Sequence, residues 1–589
     1  MKILSTAISL VAASCCALVA QVAPVQQPVK VSRVFLFSID GMHNIDFETF
    51  IKNNPASTLA TLAKTGVAYT NASASHPTDS FPGVLALVTG GGPNSTGVWY
   101  DASYDRKLVA PGSANCSTPG TAVTFDESID KDSTKLDGGG GIDVTMLPLD
   151  PSKGCAPVYP HNYLRVNTIF EVARAAGLTT AWSDKHRGAY DLLNGPSGMG
   201  VTDLYSPEVA SFKNDRPLTE AYDDGKIQEI INWIDGKNHD GTLSQPVPAI
   251  FGGNVQSVSV VEKLPTGGYT DTLGLAPSAD LQDAIAHTDA SIGKVVAELS
   301  AKNLLSSTLI VISAKHGQTP IDRTRRQIIP DHLIGDLVNA ATSNTNLAAN
   351  VTADDIGLIW LSDQTQTSAV VTALAAAQDQ LGIEEILAGD SLKQLFNDPL
   401  TDSRVPDIII IPRIGVIYAG AHATKIAEHG GFSRLDSNVI LLVSNPSITP
   451  AVVKSPVQTA QIAPTILAAI GLAPGALLAV QMEHTQVLPG LGFDLLPGVP
   501  PMVAIQATPA QTGAKQIVLD ASASTDPQGL PLTYQWTEIG GDYAAILHYN
   551  TATPIIEFGP GRPYTFQVTV TNSIGLSATQ TVTIQYYGS

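Results

Sequence analysis

The stretch "VSRVFLFSIDGM", residues 31–42, holds an almost uninterrupted apolar run that ends at Asp40 and Gly41. A run with no polar alternation is typical of a strand that is buried on both faces of a sheet. Such strands occur in parallel sheets, where helices cover both faces. We therefore predict that this stretch forms a central strand and that Asp40 lies at its carboxyl end.

Further along the chain, strand-like and helix-like apolar patterns alternate. The predicted helices are "ASTLATLAKTG" (56–66), "NTIFEVARAAG" (167–177), "SADLQDAIAHTDASIGKVVAELSAKN" (278–303) and "TAQIAPTILAAIG" (459–471), and the predicted strands are "TTAW" (179–182), "STLIVISA" (307–314) and "SNVILLVSN" (437–445). This alternation predicts an α/β fold with a mostly parallel sheet and helices on both faces. Residues that follow the strands are candidates for a functional site, because ligands bind there in such folds.

The pattern changes near residue 495, after the Pro/Gly-rich stretch "LPGLGFDLLPGVPP", residues 488–501. Beyond it lie short alternating strands, such as "QIVLDAS" (516–522), "LTYQWT" (532–537) and "YTFQVTVTN" (564–572). This spacing predicts a C-terminal immunoglobulin-like β-sandwich with Trp536 in its core. The stretch "LDASASTDPQGLPLTYQW", residues 519–536, resembles polycystic-kidney-disease-type modules. We predict two domains, at 31–495 and 499–589.

The first twenty residues, "MKILSTAISLVAASCCALVA", combine one Lys with an apolar run that ends in small residues. This pattern predicts a secretory signal peptide, residues 1–20, and therefore a secreted, extracellular protein. A lipobox around Cys15 is the alternative, but the large aliphatic residue that usually precedes such a cysteine is missing. No later stretch predicts a membrane span.

Two cysteines, Cys116 and Cys155, follow the signal peptide, and both lie in loop sequence rich in Gly, Pro and Ser. In an oxidising compartment the simplest interpretation is one disulfide between them. A free thiol or a metal ligand is the alternative, although neither cysteine lies in a Cys-x-x-Cys motif or near a His. Sequons at Asn71, Asn94, Asn115 and Asn350 predict a glycoprotein if the host is a eukaryote.

The overall charge limits the class of partner. The chain has 33 Lys and Arg against 53 Asp and Glu, which gives a formal net charge of −20. Because an acidic surface repels polyanions, the composition argues against nucleic-acid binding through a basic face. A local positive pocket for one phosphate group remains compatible with this charge.

Several polar residues lie where the predicted strands and helices begin or end. Asp40 follows the first strand, Lys315 and His316 follow "STLIVISA", and His429 precedes "SNVILLVSN". Ser80 opens the apolar stretch "FPGVLALVTG", in which an early Pro suits the first turn of a helix. A Ser at this position is either a helix N-cap or a nucleophile near the positive end of the helix dipole. The other residues at the strand ends favour the nucleophile.

Seven motifs occur in a fixed order. They are "FSIDGM" (37–42), "PTDSFPGVLALVTGGGPNSTGV" (77–98), "NTIFEVARAAG" (167–177), "AHTDASIGKVV" (286–296), "IVISAKHG" (310–317), "EHGG" (428–431) and "IAPTILAAIGL" (462–472). With them, residues 31 to about 475 resemble the type I phosphodiesterase/nucleotide pyrophosphatase branch of the alkaline phosphatase superfamily. The resemblance implies a phosphoric ester hydrolase in which Ser80 attacks phosphorus between two zinc ions. It implies further that Asp40, Ser80 and His316 belong to one metal site and His429 to the other. Asp101 falls where nucleotide-cleaving members carry an Asn that helps to bind the phosphoryl oxygen.

Two departures from the family pattern affect the expected metal centre. Lys315 stands where the family has an Asp ligand, and "PAIFGGNVQSVSVVEKLP" (248–265) lacks the family's Asp-x-x-x-His. Two unit charges about 4 Å apart interact by roughly 4 kcal/mol at an effective dielectric constant of 20, so an ammonium here disfavours a divalent ion. We expect Lys315 to be catalytic, and at most one divalent metal, zinc, held by some of Asp40, Ser80, His316 and His429. Asp235/His239 and Asp283/His287 have the missing spacing, but we interpret both as chance.

Two more clusters are candidates for substrate binding. "AWSDKHRGAYD" (181–191) places Asp184, Lys185, His186 and Arg187 after a predicted strand, and Asp184 with His186 could complete a metal site. "FGGNVQ" (251–256) offers Asn254 and Gln256 as neutral oxygen ligands or hydrogen-bond donors. We list Asp101, Asp184, His186, Asn254 and Gln256 as substrate-binding residues.

These features together predict a secreted hydrolase of phosphate mono- or diesters with a Ser nucleophile and an altered metal centre. The alternatives are a non-catalytic binding protein that kept the scaffold, and a sulfatase or transferase on the same fold. The expected partner is a small phosphorylated substrate, and the C-terminal module could bind a surface or polymer.

Overall fold

The computed structural model describes residues 31–209, 211, 214–491, 501–507, 516–526, 531–541, 544–558, 563–572 and 577–585. The predicted signal peptide and most of the predicted interdomain linker lie outside these residues. Among the described residues, no helix combines the length and the apolar character needed to cross a bilayer.

An eight-stranded sheet forms the centre of the N-terminal part. Its strands are β1 (Arg33–Ile39), β2 (Gly66–Tyr69), β3 (Thr180–Ser183), β4 (Asp203–Tyr205), β5 (Ile250–Val255), β6 (Thr308–Ser313), β7 (Leu442–Ser444) and β8 (Ala451–Val453). The spatial order is β8-β2-β7-β6-β1-β5-β3-β4. Only β7 runs antiparallel to its neighbours, so the prediction of a mostly parallel sheet is confirmed.

Helices cover this sheet on both faces. In the described part of the chain, the α-helices of six or more residues are α1 (Asn44–Asn53), α2 (Thr58–Ala63), α3 (Ser80–Thr89), α4 (Ile169–Ala175), α5 (Arg216–Ile234), α6 (Ser257–Lys263), α7 (Ala279–Ala301), α8 (His332–Ala340), α9 (Thr367–Ala376), α10 (Ile462–Ala469) and α11 (Leu478–Glu483). Successive side chains of β1 point to opposite faces. Val34 and Leu36 pack in one core with α3, α4 and α10, whereas Phe35 and Phe37 pack in another with α5, α6 and α7.

Two antiparallel sheets that the sequence analysis did not predict lie beside the central sheet. One consists of Ala348–Ala353, Gly357–Leu361, Ile383–Ala388 and Ile408–Pro412, and the other of Ala102–Val109, Pro119–Thr124, Leu149–Asp150 and Ala156–Pro157. The first sheet packs against α8 and α9 in a core of its own. Its strand Ala348–Ala353 also meets the second sheet, where Thr352 Oγ1 donates to the Ala102 carbonyl oxygen at 2.6 Å.

The C-terminal part forms two small antiparallel sheets, as a β-sandwich requires. One contains Gln506–Ala507, Gln516–Asp520, Ala545–Leu547 and Ile555–Glu557, and the other contains Leu532–Gly540, Pro563–Asn572 and Ser577–Gln585. Trp536 lies in the core between them, and its indole N–H donates to the Thr551 carbonyl oxygen at 3.1 Å. The predicted sandwich and its buried Trp are therefore confirmed.

The two cysteines that follow the predicted signal peptide form a disulfide. Cys116 and Cys155 are bonded, with their Cα atoms 6.1 Å apart. The interpretation as a disulfide is therefore confirmed over the free-thiol and metal alternatives. Of the four sequon asparagines, only Asn115 is exposed, and the amide of Asn94 already donates to the Leu395 carbonyl oxygen at 3.0 Å.

Candidate active site

Four neighbouring parallel strands end at the same edge of the central sheet and position most of the candidate site. Asp40 directly follows β1, and Lys315 and His316 follow β6. Asn254 lies near the end of β5, and Asp184 directly follows β3. The strand register places Ser38 opposite both Asn254 and Ser313, so these ends lie level with one another. The sheet topology thus brings together residues that are far apart in sequence.

Ser80 is the first residue of α3, and it is not the N-cap. Asp79 caps this helix, because its carboxylate accepts a hydrogen bond from the Phe81 backbone N–H at 3.0 Å. Gly83 permits the first turn to approach the end of β6, since a Cβ atom there would lie only 2.7 Å from the Lys315 Cβ. The capping role therefore falls to Asp79, and the Ser80 hydroxyl faces the ends of the strands.

The Asp40 carboxylate is fully buried and surrounded by hydrogen-bond donors and cations. Asn254 Nδ2 donates to its Oδ1 at 2.6 Å, and Gln256 Nε2 donates to its Oδ2 at 2.8 Å. The ammonium groups of Lys185 and Lys315 lie 3.5 and 3.7 Å from Oδ2. Burial alone would raise the pKa of Asp40, but the ammonium groups of Lys315 and Lys185 hold it well below its ordinary value.

Lys185 is the residue that contacts the Ser80 hydroxyl, and the sequence analysis gave it no role of its own. Its Nζ is 3.0 Å from Ser80 Oγ and 3.1 Å from Gln256 Oε1. The only sequence signal was its place after a predicted strand. A loop position does not reveal which of several adjacent side chains points into the site.

Lys315, which was expected to act directly, contacts other groups. Its side chain is fully buried, with Nζ 2.8 Å from Asp184 Oδ1 and 2.9 Å from the Tyr190 hydroxyl. Asp184 also accepts a hydrogen bond from the Trp182 indole N–H at 2.9 Å. The Lys315 ammonium group thus lies between the Asp40 and Asp184 carboxylates, and its hydrogen bond to Asp184 holds it in place.

His316 and His429 lie against each other. Their ring centroids are 3.8 Å apart, and His316 Nε2 is 4.0 Å from Asp40 Oδ2. Burial lowers the pKa of His316 to about 3, and burial together with the His316 ring lowers the pKa of His429 well below its ordinary value. Both imidazoles are therefore neutral at pH 7. Within the part of the chain that the structure describes, His316 Nε2 and His429 Nδ1 have no hydrogen-bond partner.

His186 does not join this cluster. It has a backbone φ of 53°, and its Nδ1 lies 3.0 Å from Glu208 and 3.6 Å from Glu127. Its carboxylate partners are thus Glu208 and Glu127 and not Asp184, and a substrate-binding or metal-binding role for His186 stays a prediction. The two Asp-x-x-x-His spacings do not form metal sites either, because their four side chains are paired with other residues. The pairs are Asp235 with Lys302, His239 with Asp203, Asp283 with Arg216, and His287 with Asp224.

An acidic cavity of about 470 Å³ lies next to Asp79 and His429. Its other charged lining residues are Asp101, Asp126, Asp354, Glu428 and Lys263. Burial, followed by the nearby Asp79 and Asp126 carboxylates, raises the pKa of Asp101 well above its ordinary value. Burial and Glu428 raise the pKa of Asp354 to about 7. The acidic side chains that line the cavity thus lie close enough together to disfavour one another's ionisation.

The three side chains whose geometry best resembles a metal site already make hydrogen bonds. Among the described residues, His43, Asp46 and Glu262 form the one set of three whose ligand atoms lie within 4.8 Å of one another. His43 Nδ1 is 3.0 Å from Asp46 and 2.9 Å from the Tyr269 hydroxyl, and Nε2 is 2.9 Å from the Gln318 carbonyl oxygen. Although burial opposes it, Glu262 and Asp46 raise the pKa of His43 well above its ordinary value. Both ring nitrogens of His43 thus already have hydrogen-bond partners, which a metal ion would have to displace.

The ligand set expected for zinc, Asp40, Ser80, His316 and His429, does not suit a divalent ion at Asp40. Both Asp40 oxygens accept amide hydrogen bonds, and Lys185 Nζ contacts both Asp40 and Ser80. A dication there would have to displace one ammonium group and would be repelled by the other. His316 and His429 keep unpartnered nitrogen atoms, but two imidazoles alone make an incomplete zinc site.

Comparisons with known proteins agree with this architecture. A family model described as type I phosphodiesterase / nucleotide pyrophosphatase matches residues 34–433, and a PKD-domain model matches residues 508–585. Murine ectonucleotide pyrophosphatase / phosphodiesterase 5 is 12% identical, with a TM-score of 0.50 over 75% of this chain and 96% of that chain. Wild-type alkaline phosphatase PafA is also 12% identical, with a TM-score of 0.50 over 75% of this chain and 96% of that chain. No curated protein matches the chain.

At such low identity the two solved structures show the fold alone, which is alkaline-phosphatase-like as predicted. The family match carries more weight, because it spans more than half of the chain and contains the strand ends described above. The chain therefore belongs to the type I phosphodiesterase / nucleotide pyrophosphatase family, and so to a family of phosphoric ester hydrolases.

Proposed function

We propose that this chain hydrolyses phosphate mono- or diesters with Ser80 as the nucleophile, in a centre where ammonium and amide groups surround Asp40. The observation that carries the proposal is the position of Ser80 Oγ, which lies on the first turn of α3 and 3.0 Å from Lys185 Nζ. A cation at the nucleophile and a helix N-terminus beside it both favour the negative charge of a phosphoryl group.

The reaction proceeds in two balanced steps. First, Ser80 Oγ bonds to phosphorus, the bond to the leaving oxygen breaks, and the hydroxyl proton ends on the leaving alcohol. Then water attacks the phosphoserine, the phosphate product leaves, and a proton returns to Ser80. Negative charge on the reacting oxygens is offset by the Lys185 ammonium and by the N-terminal N–H groups of α3.

Other site residues position these groups. Asn254 and Gln256 hold the Asp40 carboxylate, and Asp184 holds the Lys315 ammonium. Asp40 in turn keeps positive charge near Ser80, because Lys185 and Lys315 both lie beside its Oδ2. We assign Lys315 a positioning role, since its contacts are with Asp184, Tyr190 and Asp40.

The acidic cavity next to His429 supports a substrate class. Five acidic side chains line it and Lys263 is the one lysine among its lining residues, so the lining offers little positive charge to a polyanionic substituent. We assign Asp101 to this substrate-binding surface. The favoured substrates are small phosphate esters whose other substituent is neutral or cationic.

The proposal includes the setting of the enzyme. Residues 1–20 act as a signal peptide and direct the chain to the extracellular space, where the disulfide between Cys116 and Cys155 is stable. A hydrolase domain, residues 31–495, is followed by the sandwich domain, residues 499–589. The sandwich tethers the enzyme to a surface or polymer.

The test is turnover of chromogenic phosphate esters by the purified chain and by Ser80→Ala. The panel contains a p-nitrophenyl monoester and two p-nitrophenyl diesters, one with a quaternary ammonium substituent and one with a carboxylate. We expect Ser80→Ala to lose at least about 1,000-fold in kcat/KM, as expected when a nucleophile is removed. The ammonium diester should be hydrolysed faster than the carboxylate diester.

The control is Ser300→Ala, which changes an exposed serine of α7 and should keep wild-type turnover. A rate that survives Ser80→Ala would reject the nucleophile assignment. Absence of turnover with every ester would favour a non-catalytic scaffold, and faster turnover of a sulfate ester would favour a sulfatase. In heavy-oxygen water, a hydrolase puts the label into the phosphate product, whereas a transferase does not.

A further inference from the structure

We propose that Lys185 takes the place that a divalent cation would hold between Ser80 and Asp40, so that this chain needs no metal ion to activate Ser80. The inference rests on the proposed function, because it concerns how the nucleophile of that reaction is held. Lys185 lies on the loop after β3, and its side chain is 13% exposed.

The surroundings of Lys185 match an ammonium group. Its Nζ has three acceptors, namely Ser80 Oγ at 3.0 Å, Gln256 Oε1 at 3.1 Å and Asp40 Oδ2 at 3.5 Å. An ammonium group has three N–H donors and no acceptor, so one donor serves each contact. Lys185 is therefore a fixed positive charge at the nucleophile, as a bridging cation would be.

The Asp40 carboxylate has no vacant side for a metal ion. Its Oδ1 accepts from Asn254 at 2.6 Å, and its Oδ2 accepts from Gln256 at 2.8 Å. Lys315 Nζ lies 3.7 Å from the same Oδ2, slightly farther away than Lys185 Nζ, which lies at 3.5 Å. The ammonium groups of Lys185 and Lys315 thus already balance the Asp40 carboxylate and the Asp184 carboxylate, which is the nearer partner of Lys315.

The amide side chains of Asn254, near the end of β5, and Gln256, just after it, explain why an ammonium group and not a metal ion suits this end of the strand. Asn254 and Gln256 are neutral, and each uses its amide N–H₂ group toward Asp40. In that orientation they act as donors, whereas a metal ion requires oxygen atoms to point at it. Gln256 then presents its oxygen to Lys185. Asp40, Lys185 and these two amides form one hydrogen-bonded network in which the oxygen atoms of Asp40 already accept from amide and ammonium donors.

This network assigns Lys185 a direct part in the chemistry. The ammonium group contacts the reacting oxygen, so it stabilises the charge that develops on Ser80 Oγ as the bond to phosphorus forms. It stabilises the same oxygen again when water displaces it. The scheme moves no proton to or from Lys185, because the hydroxyl proton passes to the leaving alcohol in the first step and returns from water in the second.

The experiment compares metal dependence and nucleophile reactivity in the full-length chain. The protein is treated with a chelator, its metal content is measured, and hydrolysis of bis(p-nitrophenyl) phosphate is followed with and without added Zn²⁺. A fluorophosphonate probe, in which the serine oxygen displaces fluoride, is followed by mass spectrometry of the peptide that contains Ser80. The probe reports on Ser80 without requiring the natural substrate.

We expect the chelated wild-type chain to keep its turnover and its labelling within about twofold, since no step requires a metal Lewis acid. Lys185→Met should lower both by at least about 100-fold, the size of effect seen when one preorganised charge stabiliser is removed. Lys185→Arg keeps the charge and should retain part of the labelling. Lys52→Ala, which changes an exposed lysine of α1, is the matched control and should behave as wild type.

The outcomes separate this inference from the proposed function. Turnover that is lost on chelation and restored by Zn²⁺ overturns the inference, and so does wild-type labelling in Lys185→Met. Turnover that survives Ser80→Ala rejects the proposed function, and the inference then falls with it. If Lys185→Met unfolds, Lys185→Arg decides, because partial labelling without metal supports the inference and zinc-dependent labelling overturns it.

Discussion

At the scale of single residues, the two lysines beside Asp40 differ in what they contact. Lys185 contacts the Ser80 hydroxyl and is partly open to the site, whereas Lys315 is fully buried between carboxylates. Removal of Lys185 should therefore lower mainly the rate of the reaction, whereas removal of Lys315 should first lower the stability of the fold. A buried ion pair costs most when one partner is removed and the other charge remains.

Lys315→Met tests that difference through stability. The change leaves Asp184 buried without its ammonium partner, and we expect it to lower the free energy of unfolding by about 3–5 kcal/mol. The matched control is Lys294→Met, because Lys294 pairs with Asp224 at the surface, where the two side chains are 52% and 42% exposed. That change should cost no more than about 1 kcal/mol. Urea unfolding followed by tryptophan fluorescence measures both, and equal losses would contradict the argument.

Sequence patterns locate residues well when a strand end fixes them and poorly when a loop does. Asp40, Lys315 and His316 were predicted at strand ends, and the parallel sheet brings these ends together. Lys185 and His186 are adjacent on one loop, yet one reaches Ser80 and the other reaches Glu208. His186 has a left-handed backbone conformation, which its residue type does not predict.

At the scale of secondary-structure elements, the site depends on how closely α3 approaches the end of β6. Gly83 lies on the first turn of α3, and a Cβ atom built there would be 2.7 Å from the Lys315 Cβ and 2.9 Å from the Lys315 carbonyl carbon. Real Cβ atoms do not come so close to such neighbours, so any side chain at this position must move the helix. Ser80 would move with it, because both residues lie on the same turn.

Gly83→Ala should therefore reduce turnover at least about tenfold and destabilise the fold by about 1–3 kcal/mol, as overpacking does. The opposite result is expected for Gly225→Ala in α5, where nothing lies within 4 Å of an added Cβ. That change should stabilise the fold by about 0.4–1 kcal/mol, because alanine restricts the unfolded chain. Ester turnover and thermal unfolding of the two variants check both statements. A Gly83→Ala variant with wild-type turnover would show that the helix position is not critical.

The elements that the sequence predicted correctly are those with strong periodic or uninterrupted apolar patterns. The strands around β1 and the long α7 belong to this class. The two antiparallel sheets beside the cavity were not predicted, since their strands are short or irregular, and three pairings contain a register shift. These sheets supply much of the cavity lining, including Asn350 and Thr352. The cavity was therefore the least predictable part of the site.

At the scale of the whole molecule, the net charge of −20 includes many carboxylates that folding buries. Burial raises the pKa of Glu229 to about 8, and burial also raises the pKa of Asp130 to about 7. A carboxyl group whose pKa is higher in the folded chain than in the unfolded chain binds its proton more tightly in the folded chain. Its stabilising contribution is complete below the unfolded pKa and is lost as the pH rises through the folded pKa.

Glu229→Gln isolates one such group, which lies on α5 and accepts a hydrogen bond from Ser183 Oγ at 2.7 Å at the end of β3. Lys226, His239 and Asp203 are the charged groups that face it. Between pH 5.5 and 8 the wild type should lose stability relative to Glu229→Gln by up to about 1.4 kcal/mol per pH unit, since only the wild type must give up this proton. Denaturant unfolding at several pH values measures the difference, with Glu384→Gln, at an exposed position, as the control that should show none. A constant difference between Glu229→Gln and wild type over this range would mean that Glu229 is already ionised in the folded chain at pH 5.5.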